Sequence, residues 1–397
     1  MVERLVLLTA VALVVAASAQ AEGAWQIGKP IVTYWAGPDM TDATAQQMAE
    51  GNFNVVWCNE KQLDTVQAHG LRGMLHEGLL NPAVLGDPAK KAELDKLIAR
   101  VKGHPAMYAY FIGDEPNAAR FPDIGKLFAY LREKDPAHLA YINLFPTYAS
   151  NEQLGNKGDV VTAYKEHLQQ FVDVVKPELI SYDHYHFAVG GDNGQYFLNI
   201  ALIREAALQA GVPFLNIVQA CTWHPSMRIP HTNEVRWLVN TSLAYGAQGI
   251  SYYVYCHPRH FGALATADGQ PTPLYYGLTN VNRDFVAIAA ELQGLTSLGA
   301  YHANMEKLPL GAVALPAEAP LRVGEGAPVL IGNFGAQGGA ATHFAVVNLD
   351  YNRNIEVGLV AVGTLEGFNP ASGRWAPLNR SSLRLKAGAI KLLRLSR

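Results

Sequence analysis

The chain has 397 residues, 49% of them hydrophobic and 16% charged, with a formal net charge of -3. This is the composition of a globular protein with a large core, and it excludes an intrinsically disordered chain. The near-balanced charge, with no basic block, excludes nucleic acid as an expected partner and gives no reason to expect binding to an anionic membrane. Cys58, Cys221 and Cys256 are too few and too irregularly spaced for a disulfide scaffold or a zinc ribbon. A Cys221–Cys256 disulfide and buried free thiols both remain open.

The amino terminus reads as an export signal. An apolar core from Leu5 to Ala17 is followed by Ala17-Ser18-Ala19, a small-x-small cleavage pattern. The core is shorter than the about 20 residues needed to span a bilayer, and no later stretch is long and apolar enough for stable membrane insertion. Residues 1–21 are therefore expected to be removed near Ala19 or Ala21, leaving a periplasmic or extracellular protein.

From residue 22 to 300, apolar strands alternate with helical patterns. Strands are predicted over Ile31–Gly37, Phe53–Asn59, Gly73–Glu77, Met107–Glu115, Ala140–Pro146, Leu179–His186, Phe214–Cys221 and Ile250–His257. The helices between them carry their own punctuation. Asp87-Pro88 starts one whose apolar face is Leu94, Leu97, Ile98 and Val101, and Gly103 follows its end. Strands separated by helices imply parallel pairing with right-handed crossovers, and eight such units fit a (β/α)8 barrel, an α/β fold. An open doubly wound sheet lacks the Gly-x-Gly-x-x-Gly after its first strand. Residues 301–397 change texture to short alternating strands (328–332, 343–350, 355–360, 364–369, 374–378, 390–395) separated by Gly-, Pro- and Asn-rich turns. They predict a small antiparallel β-sandwich.

In a barrel the chemistry collects at the carboxyl ends of the strands. Those ends offer Trp35, Trp57, His76, Glu77, Asp114, Glu115, Asn143, Tyr182, Asp183, His184, His186, Gln219, Trp223 and Tyr255. The set is rich in carboxylates, amides and aromatics and poor in Lys and Arg. It suits a neutral polyhydroxylated ligand rather than a phosphorylated one. The stretch Pro105–Asn117, PAMYAYFIGDEPN, is the most informative. A buried strand delivers two acids at its end, and strict alternation predicts that Asp114 and Glu115 point opposite ways. The bland alternative is a helix start whose acids complement the helix dipole.

The run YFIGDEPN resembles the fourth-strand motif of retaining glycoside hydrolases of clan A, barrel enzymes that include β-galactosidases and cellulases, where Asn-Glu-Pro carries the acid/base. The resemblance spans residues 31–300 and implies that Glu115 is the proton donor, with His76 matching a third-strand histidine and Trp35 and Trp57 loosely matching sugar platforms. The tail turn Phe-Asn-Pro-Ala-Ser-Gly-Arg-Trp is similar to tails of such hydrolases. Two positions depart from the pattern: Asp114 stands in place of Asn, and the seventh strand ends in Gln219 where the clan has its nucleophilic Glu. The partner carboxylate is then Asp183, as in the arrangement of α-galactosidase barrels, or Glu77. Trp35, Trp57, His76, Glu77, Asp114, Asn143, Tyr182, His184, His186, Gln219, Trp223 and Tyr255 are expected to bind substrate. The expected activity is hydrolysis of O-glycosidic bonds in a neutral oligo- or polysaccharide, without metal or other cofactor. The alternatives are a non-catalytic carbohydrate-binding barrel and a metal-dependent hydrolase built on the His184-x-His186 pair.

Overall fold

The protein is described by a computed structural model covering residues 24–378 and 381–396. The expected signal segment lies outside the described residues. Eight parallel strands form the centre: β1 (Ile31–Trp35), β2 (Val55–Cys58), β3 (Arg72–Leu75), β4 (Met107–Asp114), β5 (Leu139–Leu144), β6 (Ile180–His184), β7 (Phe214–Gln219) and β8 (Gly249–Tyr253). Around them run α1 (Asp42–Glu50), α2 (Leu63–Ala68), α3 (Pro88–Val101), α4 (Phe121–Lys134), α5 (Asn151–Leu154), α6 (Val160–Val175), α7 (Tyr196–Ala210), α8 (Thr232–Ala244) and α9 (Pro273–Leu292). All eight expected strands are present, each ending one to four residues sooner than predicted.

The strands sort their side chains with period two, as a sheet buried on both faces requires. Ile31, Val55, Met74, Ala109, Leu139, Leu215 and Ile217 fill the barrel interior, closed off by Trp25 and Tyr108. Val32, Val56, Leu75, Tyr110, Ile142, Tyr182, Val218 and Tyr252 pack outward against the helices. The helices begin where side chains satisfy their free N–H groups. Asp87 accepts from the amides of Ala89 and Lys90 ahead of α3, and Asp159 from those of Val161 and Thr162 ahead of α6.

The hydrogen-bonded order runs β1-β8-β7-β6-β5-β4-β3-β2, so the ring has one seam, between β1 and β2. The buried side chain of Asn54 spans it. Its Oδ1 accepts from the Val32 amide (3.1 Å) and from Arg72 (2.9 Å), and its Nδ2 donates to the Pro30 carbonyl (2.8 Å).

The carboxyl-terminal part is built from β9 (Thr296–Ala303), β10 (Val313–Ala314), β11 (Leu321–Val323), β12 (Val329–Gly335), β13 (Ala341–Asn348), β14 (Ile355–Ala361), β15 (Leu365–Asn369), β16 (Arg374–Pro377), β17 (Ser382–Leu385) and β18 (Ile390–Leu395). They form a seven-stranded and a three-stranded sheet. The pairing is antiparallel except for β9–β10. Its first strand straddles the expected residue-301 boundary, starting at Thr296, because the alternating pattern of β9 follows α9 with almost no linker. Leu321, Ile331, Phe344, Val346, Val357 and Leu383 fill the space between the sheets. The outer face of the large sheet is also buried. Leu330, Ala345, Val347 and Leu392 join the barrel's own core, so β12 is covered on both sides. A Cβ on Gly332 would stand 2.0 Å from the Ala244 carbonyl oxygen, so only glycine lets the sheet approach the end of α8 this closely.

Candidate active site

Two backbone features bring both acids of the fourth strand inward. The β4–β5 ladder slips between Phe111 and Gly113, so Asp114 pairs with Asn143 and faces the barrel axis. A β-bulge re-aims side chains in this way. The next residue, Glu115, adopts a left-handed φ of +43° while its amide donates to the Asn143 carbonyl at 2.9 Å. That conformation is uncommon for a non-glycine residue and costs on the order of 1–3 kcal/mol. It swings Glu115 back toward the axis, so the expected opposite orientation of Asp114 and Glu115 does not hold.

Asn143 organises the acids. Its Nδ2 donates to Asp114 Oδ1 (3.1 Å) and to Asp183 Oδ1 (2.8 Å). Its Oδ1 accepts from Ser181 Oγ (3.1 Å), which meets Tyr141 Oη at 2.8 Å. Asp183 is 2% exposed, and its carboxyl hydrogen-bonds directly to that of Glu115. Burial, followed by the charge of Glu115, holds the Asp183 pKa far above the carboxylate range, so Asp183 keeps its proton and donates it to Glu115. Burial, helped by the charge of Asp114 and opposed by the Asp183 hydrogen bond, pushes Glu115 up to about 7. Asp114 is raised too, by burial, against the Asn143 bond that favours its charged form. It remains open to solvent at the mouth.

Aromatic rings line the mouth. Trp35, Trp57, His76 and Phe111 form one cluster, with Trp57 4.6 Å and Trp35 5.5 Å from Phe111. Tyr185, Trp223, Tyr253 and His260 form a second, with centroids 4.6 to 6.0 Å apart in the Tyr185–Trp223, Trp223–Tyr253 and Trp223–His260 pairs. Tyr253 Oη lies 3.1 Å from His260 Nε2, and His260 Nδ1 lies 2.8 Å from His257 Nδ1. Burial raises the Tyr253 phenol to about 12, with contributions from nearby Cys221, Asp114, Asp183 and Glu115, so it stays a neutral donor. Tyr148, whose hydroxyl accepts from the Tyr185 amide at 3.1 Å, also feels the charges of Asp183 and Glu115. Beside the first cluster lies a cleft of ≈ 610 Å³ reached by Asp39, Asn59, Trp57, His76, His257 and Asp268.

The structure thus gathers Asp114, Glu115, Asn143 and Asp183 at one point, with Trp35, Trp57, His76 and Trp223 around the rim. Several expected ligands are elsewhere. Tyr182 and His184 lie on the outward face of β6. Tyr182 packs in the helix-side core, and His184 Nδ1 pairs with Asn199 Oδ1 at 3.0 Å. His186 meets the Asn193 carbonyl at 3.1 Å and stacks on Trp237, so the two histidines do not present a shared metal-binding face. Among the described residues no group of three or more His, Cys, Asp or Glu side chains converges as a metal site. Tyr255 is buried, its hydroxyl bound to Gln47. Gln219 is fully buried and spends its amide on backbone: Oε1 accepts from the Phe187 amide (2.8 Å), and Nε2 donates to the carbonyls of Arg228 (3.0 Å), Phe187 (3.1 Å) and Cys221 (3.3 Å). Glu77 accepts from the Glu60 amide (3.0 Å), away from the acid cluster. The three cysteines are free and buried.

The pairing of Glu115 with Asp183 across a substrate is corrected by their contact. Hydrogen-bonded carboxyls stand closer than the about 5–5.5 Å that admits an anomeric carbon between them, and Asp183 is buried beneath its partner. Tyr253, Tyr148 and His260 were missed by sequence reasoning. Tyr253 was legible, since it continues the inward alternation of Gly249 and Ser251. Tyr148 and His260 sit on loops with no periodicity to mark them.

No protein-family model matches the sequence, and no curated protein matches it. The fold does match solved structures. A catalytic mutant of a GH42 β-galactosidase from G. stearothermophilus superposes with a TM-score of 0.61 at 8% identity, over 93% of this chain and 98% of that one. A cold-adapted β-galactosidase from Rahnella sp. R3 gives 0.54 at 10% identity, over 93% and 98%. At these identities the likeness is one of fold: a (β/α)8 barrel carrying antiparallel sheets, as in glycoside hydrolases.

Proposed function

We propose that this protein is an exported glycoside hydrolase in which Glu115 protonates the leaving oxygen of a neutral oligo- or polysaccharide. The observation that carries this reading is Glu115 itself: an acid at the end of β4, held in a strained backbone conformation, with a pKa near 7 set by burial and the neighbouring Asp114 charge. A general acid works best when its pKa lies near the operating pH. Asp183 is assigned a positioning part, holding Glu115 by a donated hydrogen bond. Trp35, Trp57 and Trp223 offer faces for sugar rings, and the scarcity of Lys and Arg at the strand ends favours an uncharged substrate.

The test uses the mature protein recovered from outside the cytoplasm, whose first residue is expected at Gln20 or Glu22 by amino-terminal sequencing. Glu115→Gln is expected to lower kcat/KM on a natural glycoside by about 10²–10⁴-fold with an unchanged circular dichroism spectrum. Unchanged turnover would reject the assignment. The structural commitment of Gln219 favours one other reading, a carbohydrate-binding barrel without catalysis. That reading requires that wild-type protein bind sugars and release no product at any pH.

A further inference from the structure

The acids around Asn143 stand on one wall of the barrel. Asp114 and Glu115 are consecutive, with Cα atoms about 3.8 Å apart, so two carboxyls that both turn inward sit side by side and do not face each other across a substrate. Asp183, on β6, touches Glu115 from below. The opposite wall, formed by the ends of β7, β8 and β1, carries Gln219, Tyr253 and Trp35, none of them an acid. Asp39 and Asp268, which line the cleft on that side, belong to loops and not to strand ends. A donor on one face of the anomeric carbon therefore has no carboxylate built into the strand ends on the other face, where displacement of the leaving group begins.

A nucleophile that the strand ends do not supply can come from the substrate, as a group on the neighbouring carbon trans to the leaving group. Asp114 points to its identity. One of its oxygens takes the Asn143 N–H, and the side chain has no other hydrogen bond among the described residues. An open carboxylate beside the acid is an acceptor waiting for an N–H. Resting on the glycosidase reading above, we infer that the substrates are 1,2-trans 2-acetamido-2-deoxyglycosides, with the acetamido oxygen as nucleophile and Asp114 holding the amide N–H.

In the first step the amide oxygen bonds to C1 while the C1–O bond to the leaving group breaks. The electron pair of that bond goes to the leaving oxygen, which takes the Glu115 proton. Asp114 stabilises the N–H of the resulting oxazolinium ring. In the second step water adds to C1 on the vacated face and gives its proton to Glu115. The electron pair of the ring C1–O bond returns to the amide. The sum is hydrolysis with retained configuration.

The test compares 4-nitrophenyl 2-acetamido-2-deoxy-β-glycosides of the gluco and galacto series with their 2-hydroxy parents. At least one acetamido substrate is expected to be cleaved 100-fold or more faster than its parent. Replacing acetyl by mono-, di- and trifluoroacetyl is expected to slow turnover stepwise as the amide oxygen loses basicity. Asp114→Asn is expected to lower kcat on the acetamido substrate at least 100-fold. Preference for the 2-hydroxy glycosides, or covalent trapping of Asp39 or another side chain by a 2-deoxy-2-fluoroglycoside, overturns the inference and leaves the glycosidase reading standing. If none of these glycosides, nor any natural glycan, is hydrolysed, both fall.

Discussion

Glu115 is poised by opposing influences, and each can be removed separately. Burial and the Asp114 charge raise its pKa, while the hydrogen bond from Asp183 lowers it. In its proposed role of general acid it acts only while protonated, so kcat/KM is expected to fall as pH rises through about 7. Asp114→Asn deletes a charge that raises Glu115, so the alkaline limb of the residual activity is expected to move to lower pH. A limb that stays in place would show that another group titrates there. Stability follows the same sign. An unfolded glutamate ionises near about 4.3, whereas folded Glu115 and Asp183 hold their protons longer, so the native state binds more protons and stability falls as pH rises from there through 7 and beyond. Glu115→Gln, the variant expected to lose activity, is also expected to flatten that decline in thermal melts from pH 5 to 8. At this scale the sequence was informative about Glu115, whose type and place at a strand end are local facts. It could not reveal that Asp114 turns the same way, because a bulge and a left-handed φ set by pairing with β5 override simple alternation.

The β7 terminus shows why elements near the mouth were harder to read than those of the wall. Gln219 occupies an inward position, where its residue type alone suggests a substrate contact. The loops after β6 and β7 fold over it, and its amide becomes the peg that fastens them to each other. Replacing it with leucine strands a backbone N–H and as many as three carbonyls, each costing about 1–3 kcal/mol when buried unpaired. Gln219→Leu is expected to lower stability to chemical denaturation by at least about 3 kcal/mol and to raise KM by loosening Tyr185 and Trp223. A variant as stable as the parent would mean that the loops hold by other contacts. His184 and His186 were misplaced for a related reason: both lie on or beyond the outward register of β6, which only the start of the strand at Ile180 fixes.

For the molecule as a whole, the alternation of strand and helix was enough to predict the barrel, because each strand buried on both faces reads as a continuous apolar run. The sandwich was read less completely. The short strands Val313–Ala314, Leu321–Val323 and Ser382–Leu385 carry too few residues to show a period, and β9 hides directly behind a long helix. The two parts are fastened through α8. Asn240 donates to the Gly388 carbonyl at 2.8 Å and Arg236 to that of Ala387, while Tyr351 of the sandwich reaches Asp192 in the loop after β6. The seam between β1 and β2 has a different consequence. A ring that is ladder-bonded everywhere else has a single line along which it can breathe, and the strands on either side of that line carry Trp35 and Trp57. The width of the wall that carries these two rings is therefore governed by one residue, Asn54, through its side chain and a single backbone bond from its amide to the Val32 carbonyl (3.0 Å), and not by a ladder. Native-state hydrogen exchange is expected to find the Val32 amide opening locally, well below the free energy of global unfolding, and Asn54→Ser to speed that exchange while leaving the Val218 amide in the β7–β8 ladder untouched. Equal protection at both positions would mean that the ring opens only as a unit.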